Sequence, residues 1–525
     1  MKQKLTFSLI IMFFVCVIFG ANFAVRSAYA LEGTETPATV IVNPDGCGEE
    51  DRKWQGIPSM DITDGGRIWV SYLTGGEKEP SLENFVAYAY SDDGGKTWNN
   101  PFFIVKHQSE GLRAYDPSVW KDPENRIWFT WCQARGNYRD LKNWAIVLDN
   151  PDGTPEQMEK ELTEKTPEML SDGVKLNRIT TLNNGDWIFF TAATNPTAIT
   201  VWGSSDKGEN WSRRSVVGGN GYKVTEPIAV QKKDGEICLL TRIERVDGAL
   251  AGRGIGRAYS KDDGYTWSEY QAELEEPFRG PASRFAFQKL QSGHLLFINN
   301  ESETSRTKLT AYLSLDDGKS WNYKCLLDER AEVSYPCSAQ DSEGNIYVIY
   351  DKGRYAEKEI RITKFTEQDI IDGNILSDNS FVRIAVSILG DQKDIESVLT
   401  EFPETITVER GTLISEARKN LPTRIKVSDK DGKEYVLSGK WTAENYDSEK
   451  AGVYLLKFSA TTDSLVYKVY DAHNLMQIKL IVEGKDGCNG NLNRTDGFIF
   501  VAMTVACICL LISAAKKNKK QGDIK

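Results

Sequence analysis

From about residue 49 to residue 388 the chain consists of short apolar runs that alternate with polar side chains and are separated by turn residues. Ile68-Trp69-Val70-Ser71-Tyr72 and Ile127-Trp128-Phe129-Thr130-Trp131 are two such runs; Trp187-Ile188-Phe189-Phe190, Ile237-Cys238-Leu239-Leu240 and Ile346-Tyr347-Val348-Ile349 are three more. Each is entered from a turn led by Gly or Asn and is rich in β-branched and aromatic residues, which predicts strands of an all-β fold. Between them an eight-residue pattern, Ser-x-Asp-x-Gly-x-(Thr/Ser/Asn)-Trp, occurs four times: Ser91 to Trp98, Ser204 to Trp211, Ser260 to Trp267 and Ser314 to Trp321. The starts lie 113, 56 and 54 residues apart, so the first interval is two periods with one degenerate copy skipped. Short strands filling such a period predict propeller blades of four strands each, and the length of the region accommodates six of them. Within each copy the Asp accepts backbone N–H bonds, the Gly takes φ > 0 and the Trp packs between neighbouring sheets. Asp93, Asp206, Asp262 and Asp316 are therefore expected to shape turns and not to do chemistry.

The pattern changes after residue 392. Thr405-Ile406-Thr407-Val408, Thr423-Arg424-Ile425-Lys426-Val427, Val453-Tyr454-Leu455-Leu456-Lys457-Phe458 and Gln477-Ile478-Lys479-Leu480-Ile481-Val482 predict a separate small β-sandwich over 393–484. It resembles a bacterial immunoglobulin-like module and is expected to act as a spacer. A Gly-, Asn- and Asp-rich stretch over 485–497 reads as a flexible linker.

Both ends carry address signals. Lys2 and Lys4 precede an apolar run and Ala28-Tyr29-Ala30 offers a small-x-small cleavage site, so 1–30 reads as a signal peptide. The 18 apolar residues of 498–515 are followed by Lys516, Lys517, Lys519 and Lys520, the pattern of one transmembrane helix with a basic cytoplasmic tail over 516–525. The expected location is the extracellular face of the cell membrane. A formal charge of −11 without a long basic stretch before the tail speaks against nucleic acid as a partner. Cys47, Cys132, Cys238, Cys325, Cys337 and Cys488 would face an oxidising compartment, where disulfides are allowed, but their spacing defines no framework. Three separated histidines give no metal-ligand spacing, and no metal is expected.

The repeated octapeptide is the Asp box, and the chain resembles a divergent branch of the sialidase (neuraminidase) superfamily. The resemblance implies a six-bladed propeller over 31–392, no cofactor, and exo-α-sialidase activity on glycans with a terminal acidic sugar. A sialidase grips the sugar carboxylate with arginines, whose planar fork stays charged. Its nucleophile is a tyrosine activated by a glutamate, since a carboxylate placed ~4 Å from the sugar's own would be repelled by about 4 kcal/mol at an effective dielectric of ~20.

Residue by residue, Glu226 in Thr225-Glu226-Pro227 resembles the activating glutamate and Tyr335 in Ser334-Tyr335-Pro336 the nucleophile. Arg242 and Arg306 resemble the second and third clamp arginines. Asp116 in Tyr115-Asp116-Pro117-Ser118 resembles an aspartate that binds the sugar's ring substituents, with Arg113 nearby as a source of positive charge. The sequence departs from the family at two points. The first clamp arginine belongs in Phe/Tyr-Arg-Ile-Pro, whereas this chain reads Trp54-Gln55-Gly56-Ile57-Pro58. The loop expected to carry an aspartic general acid offers only Glu79 or Glu83. Two other readings remain open: a hydrolase or lyase for a different acidic sugar, and a glycan-binding surface protein without turnover.

Overall fold

The computed structural model describes residues 33–484 except 175–176, 194–196, 246–253, 273, 376, 378–379, 390–392, 430–431, 444, 461–466 and 470–475. Six antiparallel sheets follow one another along the chain. The first runs outward from its inner strand Trp54–Ile62 through Ile68–Gly75, Phe85–Ser91 and Asn99–Lys106, with Thr39–Val42 added on the outer edge. The next five start from inner strands Leu112–Lys121, Thr180–Thr181, Tyr222–Gln231, Ala286–Lys289 and Val333–Gln340. Each sheet packs against the next and the sixth packs back on the first, closing a propeller-like ring.

Stacking explains the hydrophobic pattern. A sheet covered by a neighbour on each face buries its inner strand completely, as in all nine residues of Trp54–Ile62, while an outer strand such as Ser212–Gly218 is largely open to solvent. Aromatic pairs fill the clefts between sheets, for example Trp120 edge-on to Trp187 at 4.9 Å between ring centroids. Across the axis, Arg178 Nη1 lies 3.2 Å from Asp61 and its Nη2 donates to the Ser338 carbonyl.

Each Asp box follows the third strand of its sheet. In the first, Ser91 Oγ accepts from Gly95 N at 2.9 Å and Asp93 Oδ1 accepts from Lys96 N and Thr97 N, both at 2.9 Å. The same serine and aspartate contacts recur at Ser204/Asp206, Ser260/Asp262 and Ser314/Asp316. The skipped copy falls in the second sheet, where an unexpected helix, Pro155–Glu164, follows the third strand. Thr154 Oγ1 caps it by accepting from Gln157 N, Pro155 occupies its first turn, and Met158 and Leu162 are buried in the core shared with the first two sheets.

Past the sixth sheet, which ends with Phe381–Ile388, seven strands join in a second β assembly around Ile425, Val427, Leu437, Trp441, Leu456 and Ile478. Glu434–Thr442 bends between two partners there: its first half pairs with Arg424–Asp429 and its second with Gly452–Ala460. Among the described residues no helix is long and apolar enough to cross a membrane. The expected signal peptide, linker, transmembrane span and basic tail lie outside the described residues. Among the described residues no disulfide joins Cys47, Cys132, Cys238, Cys325 and Cys337.

Candidate active site

Four inner strands break register at corresponding points: between Gly56 and Ser59, Tyr115 and Ser118, Thr225 and Ile228, and Ser334 and Cys337. At each bulge one residue adopts a left-handed backbone just before a proline, namely Ile57 (φ 58°), Asp116 (48°), Glu226 (51°) and Tyr335 (55°). Such a conformation costs a residue with a side chain on the order of 1–3 kcal/mol, and strain of this kind concentrates where side chains must be aimed. The following proline donates no N–H, so the broken ladder leaves no donor stranded there. All four residues stand nine positions ahead of a left-handed turn residue, Gly66, Asn125, Gly235 or Gly344, and all four line one cavity of about 300 Å³. Arg284 holds the same position relative to Gly293 in the fifth sheet. It is buried, donates to the Tyr335 carbonyl at 3.1 Å and also to the Pro58 carbonyl.

The structure joins Glu226, Arg242 and Tyr335. Tyr335 Oη donates to Glu226 Oε1 at 2.5 Å, and Arg242 Nη1 reaches the same Oε1 at 3.0 Å and Tyr335 Oη at 3.3 Å. Glu226 Oε2 is buried without a hydrogen-bond partner among the described residues, which leaves it an unused acceptor. Burial, reinforced by the Glu226 carboxylate, raises the Tyr335 phenol above its ordinary range, against the pull of Arg242, Arg354 and Arg306. The phenol therefore rests protonated, with its proton already aimed at a base. Arg242 stays charged despite its burial because Glu226 and Glu244 hold it so; its Nη2 lies 2.5 Å from Glu244.

Glu79 and Asp116 face the same cavity. Burial raises Asp116 to about 8, with the Glu79 charge adding to the rise and Arg113 opposing it. Glu79 is raised as well, again chiefly by burial, with Arg354 and Arg113 pulling it down. The cavity thus holds carboxyl groups of two kinds: Glu226 and Glu244, both tied to Arg242, and the Glu79–Asp116 pair, pushed toward the protonated form. Tyr138, Leu141, Val174 and Ala192 supply an apolar wall.

Three expected site residues sit elsewhere. Glu83 is exposed and outside the cavity lining, because Asn84 turns the loop by accepting from Gly76 N and donating to the Lys78 carbonyl. Of the two residues expected as alternatives for the general acid, the cavity lining includes Glu79 and not Glu83. Arg113 is buried behind the cavity, stacked 4.0 Å over the Tyr115 ring and donating to the carbonyls of Gly136 and Asn137, so it braces the loop that presents Tyr138. Arg306 is not in the lining either: its Nη2 donates to the Ala282 carbonyl at 2.8 Å and its guanidinium sits 5.2 Å from the Tyr335 ring centre.

One residue was not singled out from sequence. Arg354, in the turn after Ile346–Lys352, stacks 4.0 Å over the Tyr335 ring and lies 2.8 Å from Asp351 and 3.5 Å from Glu79. No motif marks it; its position follows from ring closure, which brings the last sheet against the first.

Comparison with known proteins gives a coherent set of relatives. The family model described as BNR repeat-like domain matches residues 66–348. A sialidase of Bacteroides fragilis (strain YCH46) is 25% identical over 333 residues, covering 56% of this chain and 59% of that protein. A sialidase of Micromonospora viridifaciens is 25% identical over 338 residues, covering 57% and 50%. The chain thus spans between half and three-fifths of the length of these relatives. Among solved structures, the NanB sialidase from Streptococcus pneumoniae aligns over 64% of this chain and 71% of its own, with 14% identity and a TM-score of 0.49.

Proposed function

The chain belongs to the BNR repeat-like domain family, and on that premise we propose that it is a sialidase-like glycoside hydrolase that removes a terminal acidic sugar, sialic acid first, from glycoconjugates. The observation that carries this reading is the short bond from Tyr335 Oη to Glu226 Oε1, with Arg242 held against both. A phenol protonated at rest is a weak nucleophile until a base takes its proton, and Glu226 is placed to do so.

In the proposed sequence Tyr335 Oη attacks the anomeric carbon while its proton passes to Glu226. The bond to the departing oxygen breaks as Glu79, whose hold on a proton burial strengthens, protonates that oxygen. Water then attacks the same carbon, giving a proton to Glu79, and the carbon–tyrosine bond breaks as Glu226 returns a proton to Tyr335. Two displacements retain the anomeric configuration. Arg242 holds the sugar carboxylate, and Asp116, protonated near neutrality, can donate to a ring substituent. The terminal signals at 1–30 and 498–515 support an enzyme displayed on the outer face of a membrane, with 393–484 as its spacer.

The test is release of sugar from a fluorogenic α-sialoside by the full-length protein beside Tyr335→Phe, with thermal melts of both. Turnover in the wild type that falls by at least about a thousandfold in a folded variant is the expected result. Substantial residual turnover removes Tyr335 from the nucleophile role. Binding of acidic glycans without any release by the wild type would instead make the protein a glycan receptor.

A further inference from the structure

The resemblance assigns position 56 to an arginine, and this chain has Gly56 there. Gly56 does not adopt a left-handed backbone, so its lack of a side chain serves space and not conformation. A Cβ built on Gly56 would lie 2.8 Å from Arg354 Nε, 3.0 Å from its Cδ and 3.2 Å from its Cγ. The volume that a side chain at 56 would occupy is filled by the shaft of an arginine entering from the opposite side of the ring seam.

That arginine is held in a fixed attitude. Asp351 Oδ2 accepts from Arg354 Nε at 2.9 Å and from Ile57 N at 2.8 Å, while its Oδ1 accepts from Ser334 Oγ at 2.5 Å. One carboxylate thus ties together the arginine, the strand of Gly56 and the residue before Tyr335. Arg354 stands just outside the cavity lining: Nη2 is buried 2.8 Å from Asp351 Oδ2, whereas Nη1 points toward the cavity residue Glu79 and reaches it only at 3.5 Å, which leaves Nη1 as the donor with capacity to spare. Arg242 touches the Tyr335 hydroxyl, and Arg306 and Arg354 lie over its ring.

We infer that Arg354 is a carboxylate-binding arginine of this site beside Arg242 and that Gly56 is the vacancy that admits it. The inference rests on the acidic-sugar reading above and adds to it the residue that completes the clamp. Glycine and arginine have exchanged places across the seam: the charge arrives from the turn after Ile346–Lys352 instead of from Trp54–Ile62.

The experiment measures binding of the glycal of sialic acid and of its uncharged methyl ester by calorimetry, using full-length wild type, Arg354→Ala, Arg354→Lys and the exchange variant Gly56→Arg/Arg354→Ala. A charge-assisted contact of this kind corresponds to on the order of ten- to a hundredfold in affinity. The wild type should prefer the acid to the ester; Arg354→Ala should lose most of that preference, Arg354→Lys part of it, and the exchange variant should regain it. An Arg354→Ala protein that keeps the full preference overturns the inference. So does a loss that falls equally on acid and ester, which would mark Arg354 as packing alone. A wild type that binds neither ligand rejects the acidic-sugar reading itself, and the clamp falls with it. Should Arg354→Ala fail to fold, the Arg354→Lys preference decides in its place.

Discussion

Asp116 joins the chemistry of a single residue to the stability of the whole. Its native carboxyl keeps its proton up to about pH 8, whereas an unfolded aspartate releases it near ~3.9. Between those values the native state binds more protons than the unfolded chain, so this group lowers stability as the pH rises, and its effect levels off above about 8. Each pKa unit is worth at most ~1.4 kcal/mol. Thermal melts of Asp116→Asn should therefore show it gaining stability relative to wild type as the pH is raised from about 5 to about 8. A constant difference across that range would mean that Asp116 is ionised in the folded protein. At this scale the sequence was most legible where a residue could be located from an Asp box: Glu226, Arg242 and Tyr335 converge in one cavity. The X-Pro step nine positions ahead of four of the turns was also visible, and it would have identified Ile57, Asp116, Glu226 and Tyr335 as a set; Arg284 shares the nine-residue spacing but is followed by Phe285. Arg354 and the exposure of Glu83 were not visible, because both depend on how a loop turns after the strand before it has ended.

Among the elements, the Asp boxes and the cavity lie at opposite ends of the sheets. Boxes close the turn after third strands, whereas Glu79, Tyr138 and Arg354 come from turns between second and third strands. Asp93→Ala removes the acceptor for Lys96 N, Thr97 N and the Thr97 hydroxyl. It should lower stability by about 1–2 kcal/mol and leave kcat and KM of the folded enzyme unchanged. A changed KM would show that the two ends of a sheet are mechanically coupled. Strand periodicity made the sheets legible, yet Pro155–Glu164 escaped it: in a segment with only two buried residues the apolar face is too sparse to register, and the signal lay in the cap Thr154-Pro155.

For the molecule as a whole the decisive feature is how the ring closes. Among the described residues no strand is exchanged between the first and sixth sheets. Side chains bridge them instead: Gln55 Nε2 donates to the carbonyls of Lys358 at 2.6 Å and Ser387 at 3.0 Å, Gln55 Oε1 accepts from Ser387 Oγ, and Ile388 N donates to Glu49. Gln55→Ala, which empties a fully buried polar position, should cost roughly 2–3 kcal/mol by thermal or urea melts. Because Gly56 and Ile57 are its neighbours, turnover should fall even far below the melting temperature. Full turnover in a destabilised Gln55→Ala would show that the seam holds the fold without setting the site. Periodicity indicated six sheets, but not which side chains would fasten the last to the first.

The position of the seam also has a consequence in time. Glu226 and Tyr335 are 109 residues apart in the chain, and Glu79 and Arg354 are 275 apart. At roughly 5–20 residues per second, a ribosome finishes Glu226 several seconds or more before it adds Tyr335. On the proposed mechanism, a nascent chain or fragment that ends between Glu226 and the sixth sheet carries the carboxyl groups and no group to attack the sugar. Latency during biosynthesis would then follow from the order of translation alone.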